Sequence, residues 1–164
     1  MSVIKMPSTN LQWATAQDKH LLQIMSWFPN ERSVVMWGGP NIRFPFTEQT
    51  FKEDIKLKDI ATYTIVDESE NPLAFGQIYP RLGRCHLGRL AVNPDNRRQG
   101  LGQRLIASLC EIGNQTLNTQ GYSLFVLSDN NSALNLYQKL GFRQAEYPKP
   151  LTLDNCLYLI KDED

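Results

Sequence analysis

The stretch His86–Ile106, HLGRLAVNPDNRRQGLGQRLI, changes from strand-like to helix-like patterning, and the change decides the fold. Its first part completes a strand over Arg84–Val92, in which Gly88 marks a bulge or a close approach to the backbone. Pro94 turns the chain into the basic loop RRQGLG, Arg97–Gly102. Glycines at 100 and 102 let successive amides face outward without Cβ interference. From Gly100 to about Asn118 the spacing predicts the longest helix. Leu101, Leu105, Leu109 and Ile112 recur at i, i+4, i+8 and i+11, and Ile106 widens the stripe. Backbone N–H groups, the positive end of a helix, Arg97, Arg98 and Arg104 thus converge on one small volume suited to a phosphorylated ligand. Arginines beside a helix N-terminus oppose the dipole preference, which argues against a merely solvated loop.

Working outward, Ser123–Leu127 reads as a strand. The helix between it and Arg84–Val92 therefore implies a right-handed parallel crossover. Asn130 is a cap for a helix Asn131–Leu140, whose inward face is Ala133, Leu136, Tyr137 and Leu140. Strands follow over Phe142–Tyr147 and Leu153–Ile160. Upstream, Ala61–Val66, Leu73–Tyr79 and Arg84–Val92 are close enough for an antiparallel meander around the polar turn Asp67–Pro72. Leu11–Thr15 reads as a first strand and Asp18–Phe28 as a helix, with His20 a solvated or capping-region residue in its first turn. RSVVMWGGPNIRFPFT, residues 32–47, reads as an aromatic-rich segment broken by Gly38, Gly39, Pro40 and Pro45. A second helix starts at Thr47 or Thr50, with Thr50 and Glu53 at capping-box spacing and Phe51 and Ile55 inward. The order is strand, two helices, three strands, helix, strand, helix, two strands. That is a three-layer α/β domain around a mixed sheet, one domain over residues 1–164.

Lys plus Arg and Asp plus Glu both number 17, so the formal net charge is zero. A general nucleic-acid or membrane-surface binder is not expected from that balance. Cys85, Cys110 and Cys156 form no CxxC, which points to a reducing compartment and no metal cluster. No signal-peptide core or membrane-length apolar run occurs, so a cytoplasmic protein is expected. The Walker loop, the dinucleotide fingerprint GxGxxG, the GxSxG elbow and HExxH are all absent.

LAVNPDNRRQGLGQRLI resembles the central motif of the GNAT superfamily of acetyl-CoA-dependent N-acetyltransferases. NNSALNLYQKLGF, Asn130–Phe142, resembles that superfamily's second motif. The resemblance implies a mixed, strongly twisted sheet whose two parallel strands splay apart. The acetyl and pantetheine arm of acetyl-CoA would enter between them, the diphosphate would rest on the loop, and no metal would take part. The family's Arg/Gln-x-x-Gly-x-Gly/Ala pattern falls on Arg97, Gly100 and Gly102. The amides of Arg98, Gln99, Gly100, Leu101, Gly102 and Gln103 would bind diphosphate. Leu90 and Val92, with Ala91 between them, would offer backbone groups to the acetyl carbonyl and pantetheine. Asn130 would hold the pantetheine arm, and Tyr137 falls where many members keep a tyrosine beside the thioester sulfur. Arg98 replaces a glycine of the common form, so a modest local adjustment is expected there.

Transfer to an amine needs a route for proton removal, a site for oxyanion charge and an acid for the departing thiolate. Tyr137 is either that acid or a core tyrosine. His86 falls where a lysine-modifying branch of the family carries a glutamate base. It is a base titrating near neutrality or a histidine filling the strand face, and water is the alternative route. Cys85 points to the opposite face, and direct transfer needs no covalent nucleophile. The acceptor side is nominated as Trp37–Phe46 and Tyr147–Leu153. Trp37, Phe44 and Phe46 seal the core or wall a pocket, and Arg43 is a surface charge or meets an acidic group on the substrate. The acceptor would be a peptide α-amine, an amino acid or a small amine, and the protein a monomer or homodimer. The other class to weigh is a non-catalytic acyl-CoA-binding or protein-interaction domain.

Overall fold

The computed structural model describes residues 4–5 and 12–163, with side chains from residue 14 onward. An eight-stranded sheet has the order β1-β2-β3-β4-β5-β6-β8-β7. The strands are β1 (Ile4–Lys5), β2 (Gln12–Thr15), β3 (Ala61–Val66), β4 (Pro72–Arg81), β5 (Arg84–Val92), β6 (Tyr122–Leu127), β7 (Arg143–Ala145) and β8 (Cys156–Lys161). Leu11 of the expected first strand lies outside the described residues. Short turns make β3, β4 and β5 antiparallel neighbours, and β2 pairs antiparallel with β3 although three helices separate them in the chain. Helix α4 (Leu101–Thr116) is long enough to carry the chain back across the sheet, so β5 and β6 run parallel.

One helical layer is α4 with α5 (Asn131–Lys139). Leu105, Leu109 and Ile112 of α4 pack on Ile78, Leu87 and Leu124 of the sheet. Each such fully buried aliphatic side chain contributes about 1.5–3 kcal/mol. The other layer is α1 (Asp18–Met25), α2 (Glu31–Gly38) and α3 (Glu48–Asp54). It buries Leu21, Ile24, Val34, Phe51 and Ile55 against Phe75. The architecture is the expected one, a mixed open sheet between two helical layers.

Several local expectations are corrected. Residues 31–38 form helix α2, not an irregular segment: the Asn30 carboxamide accepts the Ser33 amide at 2.9 Å and starts a new helix where a stop was expected. Helix α1 ends at Met25, short of Phe28. His20 is buried rather than solvated, and its Nδ1 accepts the Gln17 amide at 3.0 Å, the capping alternative. Helix α3 is capped by Thr47 with Thr50, because Glu53 is drawn away to Arg43. The Asn130 side chain makes no capping bond; only its carbonyl accepts, from the Leu134 amide. β7 and β8 are shorter than expected, with residues 146–155 connecting them.

β5 and β6 pair only over Cys85–Leu87 and Tyr122–Leu124. Beyond that point β5 stays paired to β4 as far as Val92, and β6 to β8 as far as Leu127. Each strand keeps its outer neighbour while the two lose each other. The peptide groups that face the opening therefore have no strand partner there. A bulge sits at the same place: Phe75 to Gln77 on β4 spans Ala91 to Gly88 on β5, one residue more. Arg89, at φ 49°, absorbs the extra residue.

Candidate functional site

The loop and the start of α4 stand at one side of the opening. Gly100 is the N-cap at φ 76°, ψ 11°, with no side-chain capping bond and no acidic residue in the first turn. The first amides of α4 are thus uncapped by any side chain and lie at the positive end of a four-turn helix. Arg97, Arg98 and Gln99 are exposed around them. Neither Arg97 nor Arg98 joins an ion pair among the described residues. Arg98 has φ 64°, so it takes the left-handed conformation that suits glycine. That conformation costs a non-glycine residue about 1–2 kcal/mol. Gly102 has a packing role: a Cβ there would come within 3.0 Å of Leu136 on α5.

Leu90, Ala91 and Val92 follow the bulge, half-buried along the opening. The bulge is anchored from outside. The Trp37 indole N–H donates to the Arg89 carbonyl at 2.8 Å. The Arg89 guanidinium donates to Gln77 Oε1 at 2.8 Å and reaches the carbonyls of Asp54 and Ile55 at the end of α3, at 3.4 and 3.5 Å. Gln77, fully buried, also donates to Ile55 O and Thr62 Oγ1 at 2.8 and 2.9 Å. Sequence reasoning missed this network. Its only trace is one glutamine inside the apolar run of β4 and an arginine after Gly88.

Tyr137 lies on α5, 9% exposed, with its ring 6.1 Å from that of Phe142. Burial pushes its phenol up to about 12, so the hydroxyl holds its proton at neutral pH. Asn130 is half-buried at the start of the same helix.

His86 departs from the near-neutral titration expected of a base. It is 2% exposed, its Nδ1 lies 2.8 Å from Ser123 Oγ, and Tyr79 and Phe125 flank its ring at 5.1 and 4.8 Å. Burial, aided by the nearby Arg81 charge, pushes it down to about 3. It is neutral at physiological pH and a weak proton acceptor. Cys85 is fully buried in the core toward α4, and burial pushes its thiol up to about 11, which leaves no reactive thiolate.

The expected acceptor wall divides. Trp37 stacks on Phe28 at 4.1 Å and on Phe51 at 5.7 Å, and Phe46 meets Phe51 edge-on at 5.0 Å and Phe44 at 5.4 Å. These rings form a packed ladder, the core alternative. Arg43 is engaged within the chain: its guanidinium bonds Glu53 and Asp54 at 2.8 and 2.9 Å, so it is not held toward a substrate. The late-strand wall is concave. A depression of about 400 Å³ is lined by Tyr147, Lys149, Leu151, Leu153, Cys156 and Tyr158, among others. Among the described residues, no group of three or more His, Cys, Asp or Glu side chains is placed to hold a metal ion.

Comparison with known proteins adds four observations. A family model described as the acetyltransferase (GNAT) family matches residues 21–142. The chain is 36% identical over 77 residues to glucosamine 6-phosphate N-acetyltransferase of Trypanosoma brucei brucei, a match covering 46% of this chain and 50% of that protein. It is 31% identical over 105 residues to the [ribosomal protein bS18]-alanine N-acetyltransferase of Salmonella typhimurium, covering 62% of this chain and 67% of that protein. The chain thus spans about half the length of the first and about two thirds of the second. Among solved structures, a ribosomal-protein-S5-alanine acetyltransferase from Vibrio fischeri superposes with TM-score 0.72 at 13% identity, over 100% of this chain and 98% of the other. At that identity the likeness is one of fold.

Proposed function

The chain belongs to the GNAT acetyltransferase family, and on that premise we propose that it transfers the acetyl group of acetyl-CoA directly to a primary amine. The observation that carries the reading is the parting of β5 and β6 beyond Leu87 and Leu124, beside a helix whose first amides have no side-chain cap. The residues present fit coenzyme A. The amides of 98–103, with Arg97 and Arg98, hold the diphosphate. Backbone groups of Leu90, Ala91 and Val92 and the Asn130 amide line the arm, and acetyl-CoA supplies an acetyl group activated as a thioester. Tyr137, protonated at neutral pH, stands ready to give its proton to the departing sulfur. His86, neutral and sealed, is a wall rather than the base, and the proton of the amine leaves through water at the mouth of the opening.

The two curated relatives act, by their names, on an amino-sugar phosphate and on an alanine of a ribosomal protein; both acceptors are primary amines. An amino acid, a peptide α-amine or a small amine is the acceptor class here. One domain over residues 1–164 carries the activity, as a monomer or homodimer. Its place is the cytoplasm, in keeping with three widely spaced cysteines that form no CxxC. No helix of the described residues is long and apolar enough to cross a membrane.

Calorimetry with acetyl-CoA, followed by free-thiol release across a panel of primary amines, tests the proposal. Saturable binding with amine-dependent thiol release is expected. Binding with no release for any amine would make the chain a non-catalytic acyl-CoA-binding domain. No heat at millimolar coenzyme would end the proposal.

A further inference from the structure

Arg81 leaves the end of β4, and its side chain runs back along the sheet face that carries Tyr79, His86 and Phe125. Its guanidinium carbon stands 5.4 Å from the centre of the Tyr79 ring and 5.1 Å from that of Phe125. Phe125 follows Leu124, the last β6 residue paired with β5, so the charge lies beside the place where the strands part. Nη1 donates to the Tyr147 hydroxyl at 2.7 Å and Nη2 to the Tyr79 hydroxyl at 3.2 Å. Nε is buried with no acceptor. No carboxylate pairs with Arg81 among the described residues, although Arg32, Arg43, Arg84 and Arg143 each have one.

A guanidinium is always charged and has five N–H donors, and here two tyrosine hydroxyls take two of them. Two ring faces offset part of the cost of removing the charge from water. They do not supply a counter-charge, and a half-buried cation without one is an incomplete arrangement. A carboxylate or phosphate completes it through the remaining Nη hydrogens. Room for the rest of such a molecule adjoins. Tyr147, which bonds Arg81, also lines the depression of about 400 Å³ with Tyr158; Lys149, Glu146 and Asp154 lie in the same lining, so the charge that selects an anion is that of Arg81 itself.

We propose that Arg81 is the anion-recognising residue of the acceptor site: the amine acetylated by this chain also carries a carboxylate or a phosphate. Arg81 and Tyr147 hold that group while the amine reaches the opening between β5 and β6. The inference rests on the acetyl-transfer reading above and narrows it, because a cationic acceptor meets an uncompensated like charge at the same spot.

Two matched pairs test it: phenylalanine with phenylalaninamide, and 2-aminoethyl phosphate with ethanolamine. Thiol release gives kcat/KM for each, and calorimetry on coenzyme A-saturated protein gives binding without turnover. The acidic member of at least one pair is expected to be favoured about tenfold or more in both readouts, as a charged hydrogen-bonded contact should give. Which pair responds tells carboxylate from phosphate. Arg81→Gln should bring the ratio near one with acetyl-CoA affinity unchanged. Should that variant fold poorly, Arg81→Lys carries the test: it keeps a point charge, loses the fork and should lower the preference several-fold. Equal binding of acidic and neutral members, or a preference that survives Arg81→Gln, overturns the proposal. Acidic amines bound through Arg81, with no thiol release from any amine of the panel, would refute acetyl transfer and support the anion site. Turnover of neutral or basic amines alone would do the reverse.

Discussion

From Cys85 to Leu87, β5 is hydrogen-bonded along both edges, and its three side chains are all buried. From Gly88 to Val92 it keeps β4 alone, is bulged at Arg89, and none of its five residues is fully buried. The same strand is therefore a core element over its first half and a ligand-facing edge over its second. The lesson is about cost. The second half presents backbone groups with no strand partner, carries a residue at φ 49° and holds a half-buried guanidinium, all of which oppose folding. The first half, with the α4 core beneath it, makes that arrangement tolerable. Mutations in the two halves should separate stability from activity.

The largest effect is expected in the paired half. Leu87 is 1% exposed in the core against α4. Leu87→Ala should cost about 3 kcal/mol in chemical denaturation, the usual range for a buried leucine. Acetyl-CoA affinity of the protein that remains folded should not change. A matching loss of affinity would show that the two halves are not separable.

His86 lies in the paired half as well, and its effect comes with a pH signature. Folding takes it from its ordinary value of 6.5 down to about 3. Below pH 6.5 the unfolded chain takes up a proton that the folded chain refuses. Its stability contribution is thus full above 6.5 and drains away as pH falls toward 3. Between pH 6.5 and 5 the loss should be about 2 kcal/mol. His86→Gln should flatten that slope in urea denaturation at stepped pH, leaving the smaller slope from His20, which burial and Lys19 also push down. The same variant should leave the pH dependence of kcat/KM unshifted. A displaced acidic limb would restore His86 as the base.

The parted half should answer in activity. Arg89→Gly removes the anchor to Gln77 and the end of α3, a loss offset in part by relief of the left-handed backbone. Stability should move by no more than about 1 kcal/mol, the difference between a lost charged hydrogen bond and relieved left-handed strain. Turnover should fall about tenfold, because the groups at 90–92 are no longer held in place. A large stability loss with normal turnover of the folded fraction would make Arg89 an ordinary structural arginine.

These contrasts also explain what could be read from the chain alone. β3 and β5 were placed to the residue, and the loop at 97–102 with its helix followed from local patterning. Helix α2 did not, because Pro29-Asn30 reads equally well as the end of one helix and the cap of the next. The bulge was signalled by Gly88, but the extra residue fell on Arg89, whose partners lie at positions 54, 55 and 77. The state of His86 was illegible for the same reason: its burial is made by Tyr79, Ser123 and Phe125 on other strands. Arg43 looked available until α3 placed Glu53 and Asp54 against it.

The smallest predicted effect concerns the loop, where the chain departs from the pattern it resembles. A modest local adjustment was expected at Arg98. Arg98 adopts φ 64°, a conformation that costs a non-glycine residue more than glycine. Arg98→Gly should therefore stabilise the protein by up to about 1 kcal/mol, the amount released where a strained residue is replaced by one that fits. A gain in melting temperature of a few degrees would report it. The same change removes one of two exposed guanidinium groups beside the uncapped start of α4. Acetyl-CoA binding should weaken only a few-fold, and less so at high salt, where the exposed charge is already screened. A stabilised protein with slightly weaker, less salt-dependent binding would mean that Arg98 is kept for its charge, in a conformation that glycine would fit better. Unchanged binding would leave the strain without a ligand to justify it and would shift the diphosphate contact to Arg97 and the amides.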